Sequence, residues 1–327
     1  MNKAVNNTDA ANVILSDWGL EGSEVFLIKE RENAVFKVIT PCQTFYALRI
    51  HRANYHTDKE LLSELLWMEA VQAAGINVPQ AIPTLDKRHF SHIEIANKIR
   101  QVDLFEWIDG EQLGAIEEGL GEDSAHINDI FTKIGETAGK LHNQSSLWQK
   151  PSDFERQAWD IDGLLGDSPN WGCFWQLNLL SVAQKELLIK VKNQACQELI
   201  DFGYDAQRFS MIHADFSPEN FLYDGDKIRL IDFDDAGMGW HLFEIATALY
   251  FFQSDPNYSI AKEALITGYR NYRELSEQDL KKLPLFMVLR GMTYLGWLHT
   301  RQAEPAAQAL SPSLILECML TIKQYIP

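Results

Sequence analysis

The first hundred residues alternate short apolar runs with polar turns. Three runs are rich in β-branched and aromatic residues and are separated by polar or proline-containing segments: VFLIKE (25–30), NAVFKVIT (33–40) and TFYALRI (44–50). Their order predicts an antiparallel meander. Apolar residues at three- and four-residue intervals then predict a helix over 58–74 that ends at Gly75. A second extended patch, 93–108, leads into a turn at Asp109-Gly110.

From Glu111 onward helical periodicity dominates, as in 127–142, 179–202, 243–252 and 283–300. One β island interrupts it. FSMIHAD (209–215) is followed by NFLYDGDKIRLIDFDD (220–235), where Asp224-Gly225 lies between two β-rich runs and predicts a tight hairpin.

The chain of 327 residues exceeds the size at which a single core usually stops growing. We therefore predict an α+β fold of two lobes. The small N-terminal lobe, 1–104, holds an antiparallel sheet, residues 105–108 form a hinge, and the larger lobe, 109–327, is mostly helical.

Composition narrows the class of protein. Lys+Arg 29 against Asp+Glu 46 gives a formal net charge of −17, so we expect neither nucleic acid nor a membrane surface as a partner. The four cysteines are scattered without a C-x-x-C pair, which favours reduced thiols in a cytoplasmic protein. Residues 1–11 contain no apolar segment typical of a secretory signal, and the most apolar later stretch, 242–252, is too short to span a bilayer.

The β island carries polar residues where a sheet interior favours apolar ones: His213, Asp215, Asn220 and Asp232. Asn220 precedes the first strand of the predicted hairpin and Asp232 follows the second, so the hairpin brings both side chains to one end. An amide oxygen and a carboxylate suit Mg²⁺, which keeps its other positions for phosphate oxygens and water. Asp215 is then placed to accept or orient the proton of an attacking hydroxyl.

The order His-x-Asp-x-x-x-x-Asn, followed by Ile-Asp-Phe after a hairpin, resembles the catalytic and metal-binding loops of protein-kinase-like phosphotransferases. It is most similar to the branch of aminoglycoside phosphotransferases, choline kinases, homoserine-kinase-like enzymes and a stress-response Ser/Thr kinase group. The resemblance implies a two-lobed kinase-like fold that uses ATP and Mg²⁺. It also implies that Asp215 is the catalytic base, that Asn220 and Asp232 are metal ligands, and that His213 organises the loop.

The N-terminal lobe contains further parts of this resemblance. Arg49 stands at the place of the kinase lysine, and Glu64 on the next helix stands at the place of its ion-pair partner. The glycine-rich loop is absent, and the sequence ENAVFKV puts Asn33 at the corresponding turn. The adenine base is expected near the hinge, at Phe105 and Trp107. No G-x-x-x-x-G-K-[ST] motif occurs, which excludes a P-loop.

Several residues keep alternative interpretations. Glu244, in GWHLFEIATALY, stands where the family usually has an aspartate that supports the catalytic loop. Asp234 and Asp235 are solvated charges, a second metal contact or part of an acceptor site. The tryptophan-rich segment 148–175 forms either an acceptor wall or packing core, and within it Asp160 and Asp162 are candidates for binding a cationic acceptor.

Four functions remain open at this point. The leading prediction is an ATP-dependent phosphotransferase (kinase) that acts on a hydroxyl of a small, amine-bearing molecule. A protein Ser/Thr kinase of the same fold is the second, although no activation-loop signature separates Asp232 from Glu244. A nucleotide-binding pseudokinase and a metal-dependent hydrolase are the others.

Overall fold

The computed structural model describes residues 7–30, 33–114, 119–225 and 227–326, and the chain divides into two compact units. Unit 1 comprises Met1–Glu111, Gln149–Glu155 and Leu222–Ile231, and unit 2 comprises Gln112–Trp148, Arg156–Phe221 and Asp232–Pro327. The predicted lobes were continuous in sequence, whereas unit 1 also takes in two later segments. The predicted α+β class is confirmed.

A five-stranded antiparallel sheet forms the centre of unit 1. Its strands are β1 (Glu24–Glu30), β2 (Ala34–Ile39), β3 (Phe45–Ile50), β4 (Ser91–Ile95) and β5 (Lys98–Glu106), in the order β1-β2-β3-β5-β4. The predicted meander is therefore confirmed. The single extended patch predicted over 93–108 was wrong, because the chain turns at Ala96 and Asn97, whose φ angles are 52° and 60°. Alanine rarely adopts this left-handed conformation, so residue propensities do not indicate the turn.

Two helices accompany this sheet. Helix α1 (Asn7–Ile14) continues into a 3-10 turn at Leu15–Trp18, and α2 (Asp58–Ala73) matches the predicted helix. Thr57 and Glu60 form a capping box at the start of α2, and Gly75 follows its end with φ 82°. Apolar side chains of α1, its 3-10 turn and four of the strands build one core, including Leu15, Trp18, Phe36, Leu48 and Leu104.

Unit 2 is built mainly from helices. They are α3 (Ser124–Leu147), α4 (Ile161–Leu165), α5 (Val182–Phe202), α6 (His241–Leu249), α7 (Tyr258–Arg270), α8 (Glu277–Leu280), α9 (Leu283–Thr300) and α10 (Pro305–Tyr325). Single 3-10 turns occur at Phe174–Gln176, Pro218–Asn220 and Tyr250–Phe252. Each helical segment named from the sequence overlaps one of these helices. Across the described ranges, no helix combines the length and apolarity needed to cross a membrane.

Six short strands complete the fold: β6 (Glu111–Gln112), β7 (Ala158–Trp159), β8 (Phe209–Ile212), β9 (Phe221–Tyr223), β10 (Ile228–Leu230) and β11 (Gly237–Trp240). They form two sheets with the orders β10-β9-β6 and β7-β11-β8. Strands β9 and β10 are the predicted hairpin, and Asp226 in its turn lies outside the described residues. Strand β11 was not predicted, because Gly-Met-Gly-Trp has little β propensity.

The pairing of β8 with β11 places the polar loops of the β island. These strands are antiparallel, and Ile212, the last residue of β8, pairs with Gly237, the first residue of β11. The loop that leaves β8 at His213 and the loop that enters β11 from Asp232 therefore lie at the same edge of the sheet. This edge brings the His-x-Asp and Asp-Phe-Asp-Asp segments together.

Helices α3 and α7 approach each other through glycines. A Cβ atom on Gly268 would lie 2.0 Å from the carbonyl oxygen of Thr132, and one on Gly135 would lie 2.0 Å from that of Leu265. No side chain fits at such distances. The two helix backbones are therefore in direct contact at these positions.

Replacing Gly268 by alanine should destabilise unit 2, because the added methyl group forces the α3 and α7 backbones apart. We expect a loss of about 1–3 kcal/mol or more in the free energy of unfolding, measured by urea denaturation. Gly114→Ala is the control, since its Cβ would meet only Pro218 Cβ at 3.8 Å. Equal stability of the two variants would contradict this close helix contact.

Candidate active site

The loop after β8 is anchored by a buried carboxylate. Glu244 on α6 is fully buried and accepts hydrogen bonds from the backbone N–H of His213 at 2.6 Å and of Ala214 at 2.9 Å. Ala214 has φ 66°, a left-handed conformation that is uncommon for alanine. The carboxylate therefore satisfies two N–H groups at a point where the chain can no longer pair within the sheet.

Asp215 and Asn220 contact each other across this loop. The Asn220 Nδ2 group donates to the Asp215 carbonyl oxygen at 2.7 Å and to Asp215 Oδ2 at 2.9 Å. Both partners are acceptors, which fixes the orientation of the amide: its nitrogen faces Asp215 and its oxygen faces away. The Asp215 N–H donates to His213 Nδ1 at 3.3 Å, so His213 also contacts the loop through its ring.

A buried arginine holds the other oxygen of Asp215. Arg290 on α9 donates from Nη2 to Asp215 Oδ1 at 2.7 Å and from Nη1 to the Ala214 carbonyl oxygen at 3.0 Å. The Arg290 side chain is 0% exposed, whereas that of Asp215 is 30% exposed. The Asp215 carboxylate is thus held by a buried donor and remains partly exposed to solvent.

The loop between β10 and β11 is held by side chains of residues 156–159. Arg156 donates to the carbonyl oxygens of Asp234 at 2.6 Å and Ala236 at 2.7 Å, and more weakly to that of Phe233 at 3.3 Å. The Asp235 carbonyl oxygen accepts from Gln157 Nε2 at 2.9 Å and from Trp159 Nε1 at 2.8 Å. We call Arg156, Gln157 and Trp159 the carbonyl clamp. It fixes the backbone of 233–236 without using the aspartate side chains.

The acidic candidates of this loop occupy different environments. Asp232 is exposed and has φ 66°, and Asp234 is buried. Asp235 Oδ1 accepts a hydrogen bond from Trp171 Nε1 at 3.0 Å. Asp160 is the N-cap of α4 and accepts from the Gly163 N–H at 2.8 Å, a structural contact that accounts for this side chain within the fold.

The aromatic segment contributes to the core and to partly exposed positions. Trp159 and Phe174 are buried, and the Trp159 ring stacks on Phe243 at 5.7 Å. Trp171 is half-buried and lies edge-on to Trp159, also at 5.7 Å. Packing therefore explains Trp159 and Phe174, while Trp171 connects the aromatic core to Asp235.

Unit 1 holds a second charged cluster. Arg49 on β3 donates from Nη2 to Glu64 Oε1 on α2 at 2.8 Å, the ion pair expected from the resemblance. It also binds Asp103 on β5 through Nε at 3.0 Å and Nη2 at 2.6 Å. His51 Nε2 lies 3.0 Å from Asp103 Oδ2. Burial alone raises the pKa of Asp103, but Arg49 and His51 outweigh it and hold that pKa well below its ordinary value.

The remaining residues expected at a nucleotide site lie along the sheet of unit 1. Asn33 Oδ1 accepts from the Arg52 N–H at 3.1 Å, and the neighbouring Arg31 and Glu32 lie outside the described residues. Phe105 is buried, and the guanidinium carbon of Arg49 lies 5.1 Å from the centroid of its ring. Lys37 Nζ lies 4.2 Å from the centroid of the Trp107 ring.

The backbone near the expected hinge is partly paired. The Glu106 N–H donates to the Gln80 carbonyl oxygen at 2.9 Å, and the Trp107 N–H donates to that of Phe45 at 3.3 Å. Strand β5 continues to Glu106, so half of the predicted hinge, 105–108, is strand.

Sequence reasoning missed three residues of these clusters: Arg156, Arg290 and Asp103. Arg290 and Asp103 left a signal of the same kind, a charge within an apolar or β-rich segment, whereas Arg156 lies in the polar stretch DFERQ. Arg290 lies in FMVLRGM and Asp103 in QVDLF. A charge in such a position needs a buried partner, but the sequence does not identify that partner.

The donor set fits a hard divalent cation. The Asn220 amide oxygen faces away from Asp215, and the Asp232 carboxylate is exposed on the loop that meets the same sheet edge. Oxygen ligands of this kind suit Mg²⁺ or Ca²⁺. Asn220 and Asp232 could therefore hold such a metal.

Asp103→Asn should strongly destabilise the protein, because it leaves the buried Arg49 guanidinium with a single carboxylate. We expect a loss of about 3–5 kcal/mol in the free energy of unfolding at pH 7. The Asp103 contribution is present above the ordinary aspartate pKa of about 4 and is lost as the pH falls below it, so the variant and wild type should converge in acid. Asp58→Asn is the control, as its exposed pair with His92 should contribute less than about 1 kcal/mol.

Glu244 should give the stability a pH dependence of the opposite sign. Burial raises its pKa from 4.5 to about 7, although the N–H groups of His213 and Ala214 lower it. The folded protein then retains a proton that the unfolded chain releases, so stability decreases as the pH rises from about 4.5 to 7. Since one pKa unit corresponds to about 1.4 kcal/mol, the decrease should reach about 2–3 kcal/mol.

Urea unfolding at pH 5 and pH 8 measures this decrease, and Glu244→Gln, which cannot ionise, is the comparison. Raising the pH from 5 to 8 should lower the free energy of unfolding of wild type more than that of the variant. Parallel pH dependences would contradict a raised Glu244 pKa. The nearby His142, 3.8 Å from Glu244, does not compensate, because burial and then Arg273 lower its pKa well below the ordinary value.

The sequence is similar to a known enzyme family and to several kinases. Residues 25–277 match the model of the phosphotransferase enzyme family (APH). Amicoumacin kinase of Bacillus subtilis (strain 168) is 24% identical over 296 residues, covering 86% of this chain and 82% of that protein. A homoserine kinase of Beijerinckia indica is 25% identical over 276 residues, covering 82% and 73%.

Solved structures of two kinases are also similar to this chain. The microcompartment-associated aminopropanol kinase has 28% identity and a TM-score of 0.85, with 97% of this chain and 96% of that chain covered. Amicoumacin kinase hAmiN, solved in complex with AMP-PNP, Ca²⁺ and Ami, has 20% identity and a TM-score of 0.78, with 98% and 94% covered. The family match covers more than half of the chain, so the chain belongs to the phosphotransferase enzyme family.

Proposed function

We propose that this phosphotransferase transfers the γ-phosphoryl group of ATP to a hydroxyl group of a small, amine-bearing molecule. The observation that carries the proposal is the Asp215 carboxylate, which is held by Arg290 and Asn220 yet is 30% exposed. A carboxylate fixed in this way can receive the proton of an alcohol that approaches from the solvent side. In this mechanism Asp215 is the base and His213 and Glu244 position its loop.

The nucleotide is assigned to residues of unit 1. Arg49 offers a guanidinium to phosphate oxygens, and its contacts with Asp103 and Glu64 keep it oriented. Asn33, Phe105 and Trp107 are the other proposed contacts. The structural neighbour amicoumacin kinase hAmiN was solved with AMP-PNP and Ca²⁺, which supports a nucleoside triphosphate and a divalent metal here.

Asn220 and Asp232 are the proposed ligands of Mg²⁺. When bound, the ion neutralises negative charge on the phosphate oxygens. Protein side chains position the ligands. The Asn220 amide nitrogen donates to Asp215, and the carbonyl clamp holds the loop that carries Asp232. The Asn220 side chain and the backbone that follows Asp232 are thus held by contacts that do not require the metal.

Two considerations support an acceptor that carries an amine. Aminopropanol, the substrate in the name of one structural neighbour, has both a hydroxyl and an amine. The formal net charge of −17 and the acidic loop 232–235 favour a cation over an anion. Asp234 and Asp235 are the proposed contacts for the amine, and Asp160 is retained only as a weaker candidate because it caps α4.

A protein Ser/Thr kinase is the second candidate. The segment between β10 and α6 is short, and the carbonyl clamp holds its backbone, so it does not provide a long loop for a protein substrate. This favours the small acceptor. A cytoplasmic location is part of the proposal, since ATP is available there and the four cysteines are free thiols.

The test is an ATP-consumption screen against amino alcohols, homoserine, choline, aminoglycosides, sugars and a basic protein, with Mg²⁺ present. We expect turnover with one class of amine-bearing alcohol. Asp215→Ala should reduce that turnover by about 10²–10⁴-fold, because proton transfer to a positioned base contributes this much. Its affinity for AMP-PNP should be unchanged.

Asp201→Ala is the matched control, because Asp201 is an exposed carboxylate on α5 that accepts a hydrogen bond from Gln197 Nε2 of the same helix at 3.0 Å. It should retain wild-type turnover. Phosphorylation of the basic protein alone would favour the protein-kinase alternative. Undiminished turnover in Asp215→Ala would contradict the mechanism.

A further inference from the structure

Helix α9 carries one buried charge in a row of apolar residues. The segment Leu285–Leu289 is buried, and Arg290, which follows it, is 0% exposed. An arginine at such a site is costly to desolvate unless its donors find acceptors. Its position therefore needs an explanation beyond helix packing.

We infer that Arg290 is a positioning residue that fixes the carboxylate of Asp215 in the orientation required for transfer. This inference rests on the proposed function, in which Asp215 is the base. One guanidinium reaches two successive residues of the loop, donating to Asp215 Oδ1 at 2.7 Å and to the Ala214 carbonyl oxygen at 3.0 Å. It thus controls both the side chain of Asp215 and the backbone that precedes it.

The two oxygens of Asp215 are held from different sides. Arg290 binds Oδ1, and Asn220 Nδ2 binds Oδ2 at 2.9 Å. With a single donor the carboxylate could rotate about its Cβ–Cγ bond, because this torsion is broad for aspartate. With two donors on opposite oxygens its plane is set. Arg290 therefore restrains a rotation that Asn220 alone would leave open.

Aromatic side chains keep Arg290 itself in place. Its guanidinium carbon lies 4.2 Å from the Tyr294 ring centroid, 4.9 Å from that of Trp171 and 5.6 Å from that of Phe243. Nη2 also donates to the Tyr294 hydroxyl at 2.8 Å. Rings packed around a guanidinium offset part of its desolvation cost and limit its movement.

The same contacts connect the two loops of unit 2. Trp171, which packs on Arg290, donates its indole N–H to Asp235 Oδ1 at 3.0 Å. Arg290 is therefore in contact with the loop of Asp215 directly and with the loop of Asp232–Ala236 through one tryptophan. A change at Arg290 should loosen the first loop more than the second.

Kinetics of Arg290→Met and Arg290→Lys with the acceptor found in the screen test this role. Because displacement of a catalytic group by about 1 Å can cost about 10²-fold, Arg290→Met should lower kcat about 10²-fold while the KM for ATP changes less than about two-fold. Arg290→Lys should recover part of kcat, since an ammonium can reach Asp215 Oδ1 but cannot bind the Ala214 carbonyl in the same fork.

Amide hydrogen exchange in peptides covering 212–220 provides a measurement that needs no acceptor. Arg290→Met should speed exchange there at least about ten-fold, because local opening of the loop becomes easier when its anchor is lost. Arg273→Met is the matched control: Arg273 is also buried, but it binds the carbonyl oxygens of His142, Ala206 and Gln207. The Arg273→Met variant should have a lower free energy of unfolding than wild type, but its amide exchange in 212–220 should not be faster.

The outcomes separate the two proposals. If wild type transfers phosphate to no alcohol, the proposed function fails, and the exchange measurement still decides whether Arg290 orders the loop. Unchanged kcat and unchanged exchange in Arg290→Met would overturn the positioning role. If Arg290→Met does not fold, Arg290→Lys decides: wild-type kcat together with wild-type exchange in 212–220 would contradict the inference.

Discussion

The structure of unit 2 depends on how the chain leaves β8 without losing its hydrogen bonds. At His213 and Ala214 the backbone departs from the sheet, and two N–H groups would be buried without partners if Glu244 did not accept both. This contact fixes the left-handed turn at Ala214, which in turn sets the direction of Asp215. The pairing of Ile212 with Gly237 then brings the second acidic loop to the same edge. One buried carboxylate therefore determines the geometry of most of the polar residues around it.

Both charged clusters follow one physical rule. A guanidinium in a site from which water is largely excluded is held by a carboxylate and packed against aromatic rings: Arg49 with Asp103 and Phe105 in unit 1, and Arg290 with Asp215 and Trp171 in unit 2. In unit 1 the carboxylate is fully buried, whereas in unit 2 it is partly exposed. The first arrangement orients the arginine. The second leaves the carboxylate accessible, which is what a reacting group requires.

Much of the fold could be predicted from the sequence, and the reasons are local. The meander, α2 with its final glycine, and the β9–β10 hairpin are encoded by periodicity and turn residues that act over a few positions. The turn at Ala96-Asn97 and strand β11 could not be, because left-handed alanine and a Gly-Met-Gly-Trp strand contradict ordinary propensity. The loop residues Asp215, Asn220 and Asp232 were predicted from their spacing. Arg290 lies 75 positions from Asp215 and Arg156 lies 78 positions from Asp234, so spacing carries no information about them, whereas Glu244 was expected from the resemblance.

The carbonyl clamp has a consequence for control of the enzyme. Many kinases order the segment after the metal-binding aspartate only when a phosphate group is attached to it. Here Arg156, Gln157 and Trp159 supply the donors permanently, from side chains that are part of the fold. Covalent switching of this segment therefore has no disordered state to act on.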